Sequence, residues 1–293
     1  MPGVWLSGKK MRKFILGTDW WTDCDDAVAL RILLRAHKRG EIVLSEIGIN
    51  AYMPDSAASL LAFMHAEGVF DVPVGIDRAA VDFGGNPPYQ KRLAAREPMN
   101  DAQLPDAADL YLSLLREVKE PLEILEIGYP QVLAEVLKRD PALFREKVRA
   151  VWMMAGKWDD AEGKENNFTR APRSREAGAY FCRFCPVPIT FLGFEVGVSV
   201  ITGGKLKEGD LLRQVLADHG SGSGRCSWDP MLVLLALDGS PEAGGYTSVT
   251  GKASVDPLTG TNTFARSPDG RHRFVVKAKP DSFYAARIDE LIR

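Results

Sequence analysis

Four aspartates lie within eight residues near the start of the chain, in the stretch GTDWWTDCDDAVAL at positions 17–30. They are Asp19, Asp23, Asp25 and Asp26, and Trp20 and Trp21 stand among them. Two carboxylates a few ångströms apart repel each other by about 4 kcal/mol at an effective dielectric of about 20. At a buried edge such a cluster needs protons, arginines or a metal ion. Oxygen ligands favour Ca²⁺ or Mg²⁺ over zinc.

A simpler interpretation stays open for part of the cluster. Asp25 and Asp26 begin an apolar run with helical spacing, where acidic side chains complement the positive end of the helix dipole. That interpretation does not explain Asp19, which directly follows the buried strand KFILGT at 13–18. The position of Asp19 therefore favours the metal interpretation.

Apolar strand-like runs alternate with helical patterns along most of the chain. The pattern predicts strands at 13–18, 42–50, 72–76, 122–128, 148–156 and 188–194, with helices at 25–40, 55–68, 106–119, 131–140 and near 174–184. Asp55 is the expected N-cap of the second helix. The alternation predicts an α/β fold with an open, mainly parallel, doubly wound sheet and helices on both faces. The last third instead predicts a buried helix at 231–237, antiparallel strands and a closing amphipathic helix.

Length and composition narrow the class of protein. The 293 residues predict a disordered leader at 1–12 and one domain at 13–293. A net charge of −2 gives no reason to expect nucleic acid or a membrane as a partner. The N-terminus lacks the features of a secretory signal, and four unpatterned cysteines fit a reducing cytoplasm. The CxxC pair Cys182 and Cys185 has no second pair of soft ligands, so we expect buried thiols.

Polar residues follow several of the predicted strands. Asp19 follows the first strand, Asn50 ends the second, and the segment GKENNF at 163–168 comes after the strand at 148–156. Asp229 precedes the late buried helix. Ligands of an open parallel sheet bind beyond the carboxyl ends of its strands. The sequence therefore predicts a site for a hard cation, with hydroxyl-binding groups around it.

Five stretches, in this order, resemble the inosine-uridine preferring nucleoside hydrolase family, of which the chain looks like a divergent member. TDWWTDCDDAVAL resembles the opening Asp-x-Asp-Pro-Gly-x-Asp-Asp-Ala motif, and IGIN resembles the second-strand segment with its ribose-binding Asn. LEIGYPQVLAEVL, ENNF and SWDPMLVLLAL resemble three later segments. The resemblance spans roughly residues 13–240, and the ordered set is more specific than any of its members.

The resemblance implies a role for each matching residue. It implies Ca²⁺ as the cofactor, bound by Asp19, Asp26, Asp229 and the backbone carbonyl of Ile127, with Asp19 also deprotonating the attacking water. Positions that bind ribose hydroxyls in the family are matched by Asp25, Asn50, Glu165 and Asn167. Trp228 replaces a His that is associated with protonation of the leaving group, and it could contact the base.

The implied activity is calcium-dependent hydrolysis of the N-glycosidic bond of ribonucleosides, which releases ribose and the free base. The implied partner is a small nucleoside, and the implied assembly is a homo-oligomer, either a dimer or a tetramer. Two other functions stay open: a catalytically impaired nucleoside- or sugar-binding protein of the same fold, and a Mg²⁺-dependent phosphohydrolase. The phosphohydrolase would need a second Asp two residues after Asp19, where Trp21 stands.

The acidic loop departs from the family motif. Its Pro-Gly is absent, and seven positions separate Asp19 from Asp26 where the family has five, so we interpret the loop as two residues longer, with Asp23 as an additional acid in the bulge. An alternative register aligns Asp19 with the first Asp of the motif and places Trp21 at the position of the base. The two tryptophans are expected either in the core or as an aromatic cover over the site.

Overall fold

The computed structural model describes residues 11–293, so residues 1–10 of the expected leader lie outside the described part of the chain. The first strand begins at Arg12, one residue before its expected start. The strands are β1 (Arg12–Thr18), β2 (Ile42–Ile49), β3 (Val74–Ile76), β4 (Leu122–Glu126), β5 (Val148–Met154), β6 (Ile189–Leu192), β7 (Ile201–Thr202), β8 (Arg225–Cys226), β9 (Tyr246–Val255), β10 (Asn262–Arg266) and β11 (His272–Lys277).

The predicted helices are all present in the predicted order. The helices are α1 (Asp25–Lys38), α2 (Ser56–Ala66), α3 (Gln90–Ala94), α4 (Ala107–Glu117), α5 (Gln131–Arg139), α6 (Pro141–Lys147), α7 (Asn166–Thr169), α8 (Pro172–Phe184), α9 (Phe194–Gly197), α10 (Leu211–Asp218), α11 (Trp228–Asp238) and α12 (Asp281–Ile292). Of these, α3, α6, α7, α9 and α10 are additional helices that the sequence pattern did not predict. A short 3-10 helix lies at Asp101–Gln103. The helix α3 and this 3-10 turn lie within residues 77–103, which the sequence pattern predicts as a loop. Among the described residues, no helix has the length and apolar character needed to cross a membrane.

Within residues 11–293, nine strands form one mixed sheet in the order β10-β9-β11-β6-β5-β4-β1-β2-β3. The neighbouring strands β6-β5-β4-β1-β2-β3 all pair in parallel, and β11 pairs in parallel with the outer side of β6. Strand β9 pairs antiparallel with both β11 and β10, which confirms the expected antiparallel strands in the last third. The strands β7 and β8 form a separate two-stranded antiparallel sheet. The predicted α/β fold class is confirmed.

The helices cover both faces of the sheet. On one face, apolar residues of α1, α2, α10, α11 and α12 form a core that includes Phe14 and Leu16 of β1. On the other face, α4, α5, α6 and α8 form a second core that includes Ile15. Successive residues of β1 therefore enter opposite cores, as expected of a central strand that is buried on both faces. Asp55 stands at the N-cap position of α2 but makes no capping hydrogen bond through its side chain, so that expected contact is absent.

The strand order reverses at β1. From β1 the chain moves outward through β2 and β3, and it then returns to place β4 on the other side of β1. The backbone N–H of Ile127, which follows β4, donates to the carbonyl of Gly17 in β1 at 2.9 Å. Beyond this contact the chain continues from β1 into α1 on one face of the sheet and from β4 into α5 on the other, which leaves a crevice at the ends of the two strands. Such a reversal is where doubly wound sheets bind their ligands.

Glu46 of β2 is a buried acid outside this crevice, and it provides a test of stability against pH. One of its carboxylate oxygens has no hydrogen-bond partner. Burial raises its pKa to about 8, and the charge of Glu117 adds to this shift. Because the unfolded chain releases the proton near the ordinary pKa of 4.5, the free energy of unfolding should fall as pH rises from there to about 8.

We therefore expect Glu46→Gln to increase the free energy of unfolding at pH 8 by roughly 1–3 kcal/mol, with little change at pH 4. Urea unfolding of both proteins at the two pH values measures the difference. Glu41→Gln is the matched control, because Glu41 is exposed and paired with Arg39. An equal gain at both pH values would show that ionisation of Glu46 is not the cause.

Candidate functional site

A cavity of about 540 Å³ opens beyond the carboxyl ends of β1 and β4. Its size is suitable for a small-molecule ligand. All but one of the residues that the sequence assigns to the site line it: Asp19, Asp25, Asp26, Ile127, Glu165, Asn167, Trp228 and Asp229. These residues come from the loops after β1, β4 and β5, from the first turns of α1 and α11, and from α7. The fold thus brings together positions that are up to 210 residues apart in the chain.

Three buried carboxylates form the acidic part of this cavity. Oxygen atoms of Asp25, Asp26 and Asp229 all lie within 4.8 Å of one another. The carboxylate of Asp25 also accepts a hydrogen bond from the backbone N–H of Asp229 at 3.1 Å. The N-termini of α1 and α11 therefore meet at the cluster, and their positive dipole ends offset part of its negative charge.

That offset is incomplete. Burial and the repulsion among neighbouring carboxylates raise the pKa values of Asp25, Asp26 and Asp229 well above the usual range. A cluster of this kind holds protons when it is alone and ionises when a cation is bound. Three close carboxylates and no nitrogen or sulfur ligand suit a hard cation such as Ca²⁺ or Mg²⁺.

Asp19 lies beside this group but is not one of the three. It interacts with Asp26, and burial together with the surrounding carboxylates raises its pKa to about 7. Asp26 is held by the loop itself, because it accepts from the hydroxyl of Thr18 and from the backbone N–H of Trp20. The geometry thus groups Asp25, which the resemblance assigns to ribose, with Asp26 and Asp229, and it leaves Asp19 at the edge.

The opposite part of the cavity is formed by the segment before and within α7. Glu165 accepts from the backbone N–H groups of Gly156 and Asn167, and burial raises its pKa to about 7. The amide of Asn167 donates to the carbonyl of Met154 at 2.8 Å and lies 3.4 Å from that of Ile127. Both side chains are therefore fixed in position before any ligand arrives.

Asn50 is the exception among the expected sugar-binding residues. It is fully buried, and it does not line the cavity. Its amide nitrogen donates to Glu126 at 2.8 Å, and its amide oxygen accepts from the backbone N–H of Tyr129 at 2.9 Å. Both ends of the amide are bonded to protein atoms in this structure, and the contact of Asn50 with ribose stays a prediction. In this structure Asn50 fixes the turn after β4.

Asp23 has a partner that its position in the sequence does not reveal. Both of its carboxylate oxygens bond to the guanidinium of Arg225, which comes from β8. Burial alone would raise the pKa of Asp23, but the hydrogen bonds and charge of Arg225 hold it below the usual value. Asp23 therefore lines the cavity as a paired acid and lies outside the group of three carboxylates.

The two tryptophans of the acidic loop have different environments. Trp20 is fully buried, and its indole N–H donates to Ser59 at 2.8 Å. Its φ of 42° lies in the left-handed region, which is unusual for a large side chain. Trp21 lines the cavity and donates to the carbonyl of Gly84 at 2.7 Å. The turn at Trp20 thus directs one indole into the core and the next one to the wall of the site.

Some residues of the cavity were not expected from the sequence. Phe194 stacks against Trp228 with ring centroids 5.4 Å apart, and both rings line the cavity. Lys164 and Arg170 also line it, on the same segment as Glu165 and Asn167. Their proximity in sequence to ENNF is a signal that could have identified both cations. Phe194 had no such signal.

Gly128 is required where the loops after β1 and β4 approach each other. A Cβ atom at this position would collide with the amide oxygen of Asn50 and the backbone nitrogen of Asp19. We expect Gly128→Ala to lower the free energy of unfolding by about 1–3 kcal/mol, as overpacking does, and to displace Asp19. Urea unfolding checks the first effect. In the control Gly222→Ala, the new methyl group meets nothing closer than 3.9 Å, so equal losses in both variants would contradict this explanation.

Known proteins match this chain in structure but not in sequence searches. No family model matches the sequence. No curated protein matches it either. A plant nucleoside hydrolase superposes with a TM-score of 0.75 at 17% identity, covering 97% of this chain and 99% of its own. The inosine-uridine preferring nucleoside hydrolase from Bacillus anthracis gives a TM-score of 0.73 at 17% identity, with coverage of 96% and 99%.

A purine-preferring ribonucleoside hydrolase from Gardnerella vaginalis gives a similar value, a TM-score of 0.73 at 19% identity over 96% of this chain and 99% of its own. These similarities extend over almost the whole of each chain. At such low identity they establish the architecture and leave the chemistry to be argued from the site. The chain therefore has the fold of the nucleoside hydrolases.

Proposed function

We propose that this protein is a metal-dependent hydrolase that cleaves the N-glycosidic bond of ribonucleosides. The observation that carries the proposal is the group formed by Asp25, Asp26 and Asp229 in a cavity at the reversal of the strand order. The resemblance of the sequence motifs and the likeness of the fold to nucleoside hydrolases support it independently.

The donor set fits a divalent cation, and we propose Ca²⁺. Asp25, Asp26 and Asp229 would supply carboxylate oxygens, and Ile127, whose carbonyl would be a further ligand, also lines the cavity. Ca²⁺ accepts such mixed sets of carboxylates and carbonyls with little demand for fixed geometry. A bound cation would lower the pKa of water and orient hydroxyl groups of the sugar.

The residues of the chain would supply the other steps. Asp19, at the edge of the carboxylate group, would accept the proton of the attacking water as a general base. Glu165 and Asn167, which are held by backbone contacts, would bind and orient sugar hydroxyls. As the glycosidic bond breaks, positive charge develops on the sugar, and the surrounding carboxylates would stabilise it. The stacked pair of Phe194 and Trp228 would provide an apolar surface for the base.

The direct test is release of ribose from inosine, uridine, adenosine and cytidine by the purified protein, with and without Ca²⁺. We expect release that depends on the metal and is lost with a chelator. A protein that binds Ca²⁺ and ribose but releases no sugar from any of the four would contradict the hydrolase proposal.

That outcome would support a second function, a nucleoside- or sugar-binding protein with the same cavity. One observation favours it: Asp19, the expected base, is not one of the three grouped carboxylates, and Trp21 lines the wall beside it. Release of phosphate from phosphate esters in place of sugar would support the phosphohydrolase alternative.

A further inference from the structure

Two cationic side chains lie in the wall of an otherwise acidic cavity. Lys164 and Arg170 both line it, and they lie on either side of Glu165 and Asn167 on one segment of the chain. A nucleoside substrate is neutral, so its recognition requires no positively charged side chain. These two cations therefore need a separate explanation.

Neither cation is neutralised by an acidic partner among residues 11–293. Lys164 is exposed, and it makes no hydrogen bond or ion pair in that part of the chain. Arg170 lies 4.6 Å from the ring of Trp21 and donates to the carbonyl of Phe83 at 2.8 Å, but it forms no ion pair with a carboxylate there. Nearby Lys157 differs, because its ammonium group contacts both Asp159 and Asp160.

Arg170 is also held in place. Its guanidinium lies over the indole of Trp21 and donates to one backbone carbonyl, which leaves further N–H groups available. A planar guanidinium that is held in this way loses little entropy when it binds an anion, and phosphate oxygens match its geometry. Lys164 would add a second, mobile positive charge.

The cavity thus has three chemically distinct parts. The grouped carboxylates with a cation would bind a sugar, and the pair of Phe194 and Trp228 would face the base. The wall at 164–170, which also carries the sugar-binding Glu165 and Asn167, would lie beside the remaining end of the sugar. In that arrangement the two cations would bind a negatively charged group on the sugar, at the end of the sugar that is distant from the base.

We propose that the cavity binds 5′-phosphorylated ribosides, with Lys164 and Arg170 as the phosphate subsite. This inference rests on the proposed function for the position of the sugar. Lys164 and Arg170 would act as specificity-determining residues, and they would contact the phosphate and not the bond that breaks.

The test compares the affinities of ribose 5-phosphate and ribose for the full chain in millimolar CaCl₂ by titration calorimetry. We expect ribose 5-phosphate to bind about tenfold more tightly than ribose at low ionic strength. The ratio of the two dissociation constants should fall to roughly two in the double variant Lys164→Gln, Arg170→Gln, and it should shrink in about 0.5 M NaCl. Lys157→Gln, which removes one positive charge outside the cavity lining, should keep the ratio.

The outcomes separate this inference from the proposed function. A ratio near one in the wild-type protein, or a ratio that is unchanged in the double variant, overturns the phosphate subsite even if nucleosides are hydrolysed. A high ratio that the double variant loses supports the subsite even if no base is released from adenosine or adenosine monophosphate, and in that case the hydrolase proposal falls. Absence of binding by both sugars overturns the phosphate subsite, and release of ribose from nucleosides then decides the hydrolase proposal separately.

Discussion

Replacing Asp19 by asparagine should lower the rate of nucleoside hydrolysis by about 10³-fold, because the proposed base can no longer accept a proton. The fold should remain intact. Asp19 is buried among other acids, and its pKa is raised to about 7 by that environment. A neutral amide removes this repulsion, so the free energy of unfolding of the metal-free protein should stay equal or rise. Ribose release and thermal unfolding of the same preparation measure both effects.

Asp23→Asn is the matched control, since it makes the same change four residues along the same loop. Asp23 is paired with Arg225 and is about one-third exposed, so breaking the pair should cost at most about 1 kcal/mol of stability. We expect its rate to fall by less than about tenfold. If Asp23→Asn loses as much activity as Asp19→Asn, then Asp23 takes part in binding or catalysis, and the interpretation of the loop as a two-residue bulge is wrong.

Replacing Asp229 by asparagine should abolish the stabilisation of the protein by Ca²⁺. For the wild-type protein we expect millimolar Ca²⁺ to add about 3–4 kcal/mol to the free energy of unfolding, as a ligand does at a hundred to a thousand times its dissociation constant. Asp229 belongs to the group of three carboxylates, so its loss removes one oxygen ligand and leaves a weaker site. Without Ca²⁺, the variant should be at least as stable as the wild type, because the pKa of Asp229 is raised by burial among acids.

Thermal unfolding with Ca²⁺, with Mg²⁺ and with a chelator measures this effect without any assay of activity. Asp23→Asn should retain the shift caused by Ca²⁺, since its carboxylate lies outside the group of three. An undiminished shift in Asp229→Asn would show that the cation binds elsewhere. A larger shift with Mg²⁺ than with Ca²⁺ would contradict the proposed choice of metal.

The sequence predicts the fold well because the relevant signals are local. Apolar runs such as that of β1 and the helical spacing of α1 depend only on neighbours in the chain, and their alternation implies a parallel sheet. The loop at 77–103 was less predictable. Its short helix α3 is held by contacts to distant residues: Gln90, for example, donates to the carbonyl of Trp20.

The side-chain arrangement of the site depends on partners that are far apart in sequence. Asp25 joins the carboxylate group because it accepts from the backbone of Asp229, and Asp23 leaves that group because Arg225 pairs with it. Asn50 is withdrawn from the cavity by Glu126, a buried acid that the sequence did not single out. Spacing along the chain places these residues at the same edge of the sheet, but it does not choose among their possible partners.

The carboxylate group is assembled from segments of the chain that are synthesised at different times. Asp25 and Asp26 belong to the first helix to be synthesised, and Asp229 begins α11, about two hundred residues later. During synthesis β1 can pair with β2 early, but its other neighbour, β4, lies more than a hundred residues away. A nascent chain that ends before Trp228 therefore carries Asp25 and Asp26 without Asp229. The capacity to capture a cation should appear only when most of the protein has left the ribosome, as the final step in assembling the site.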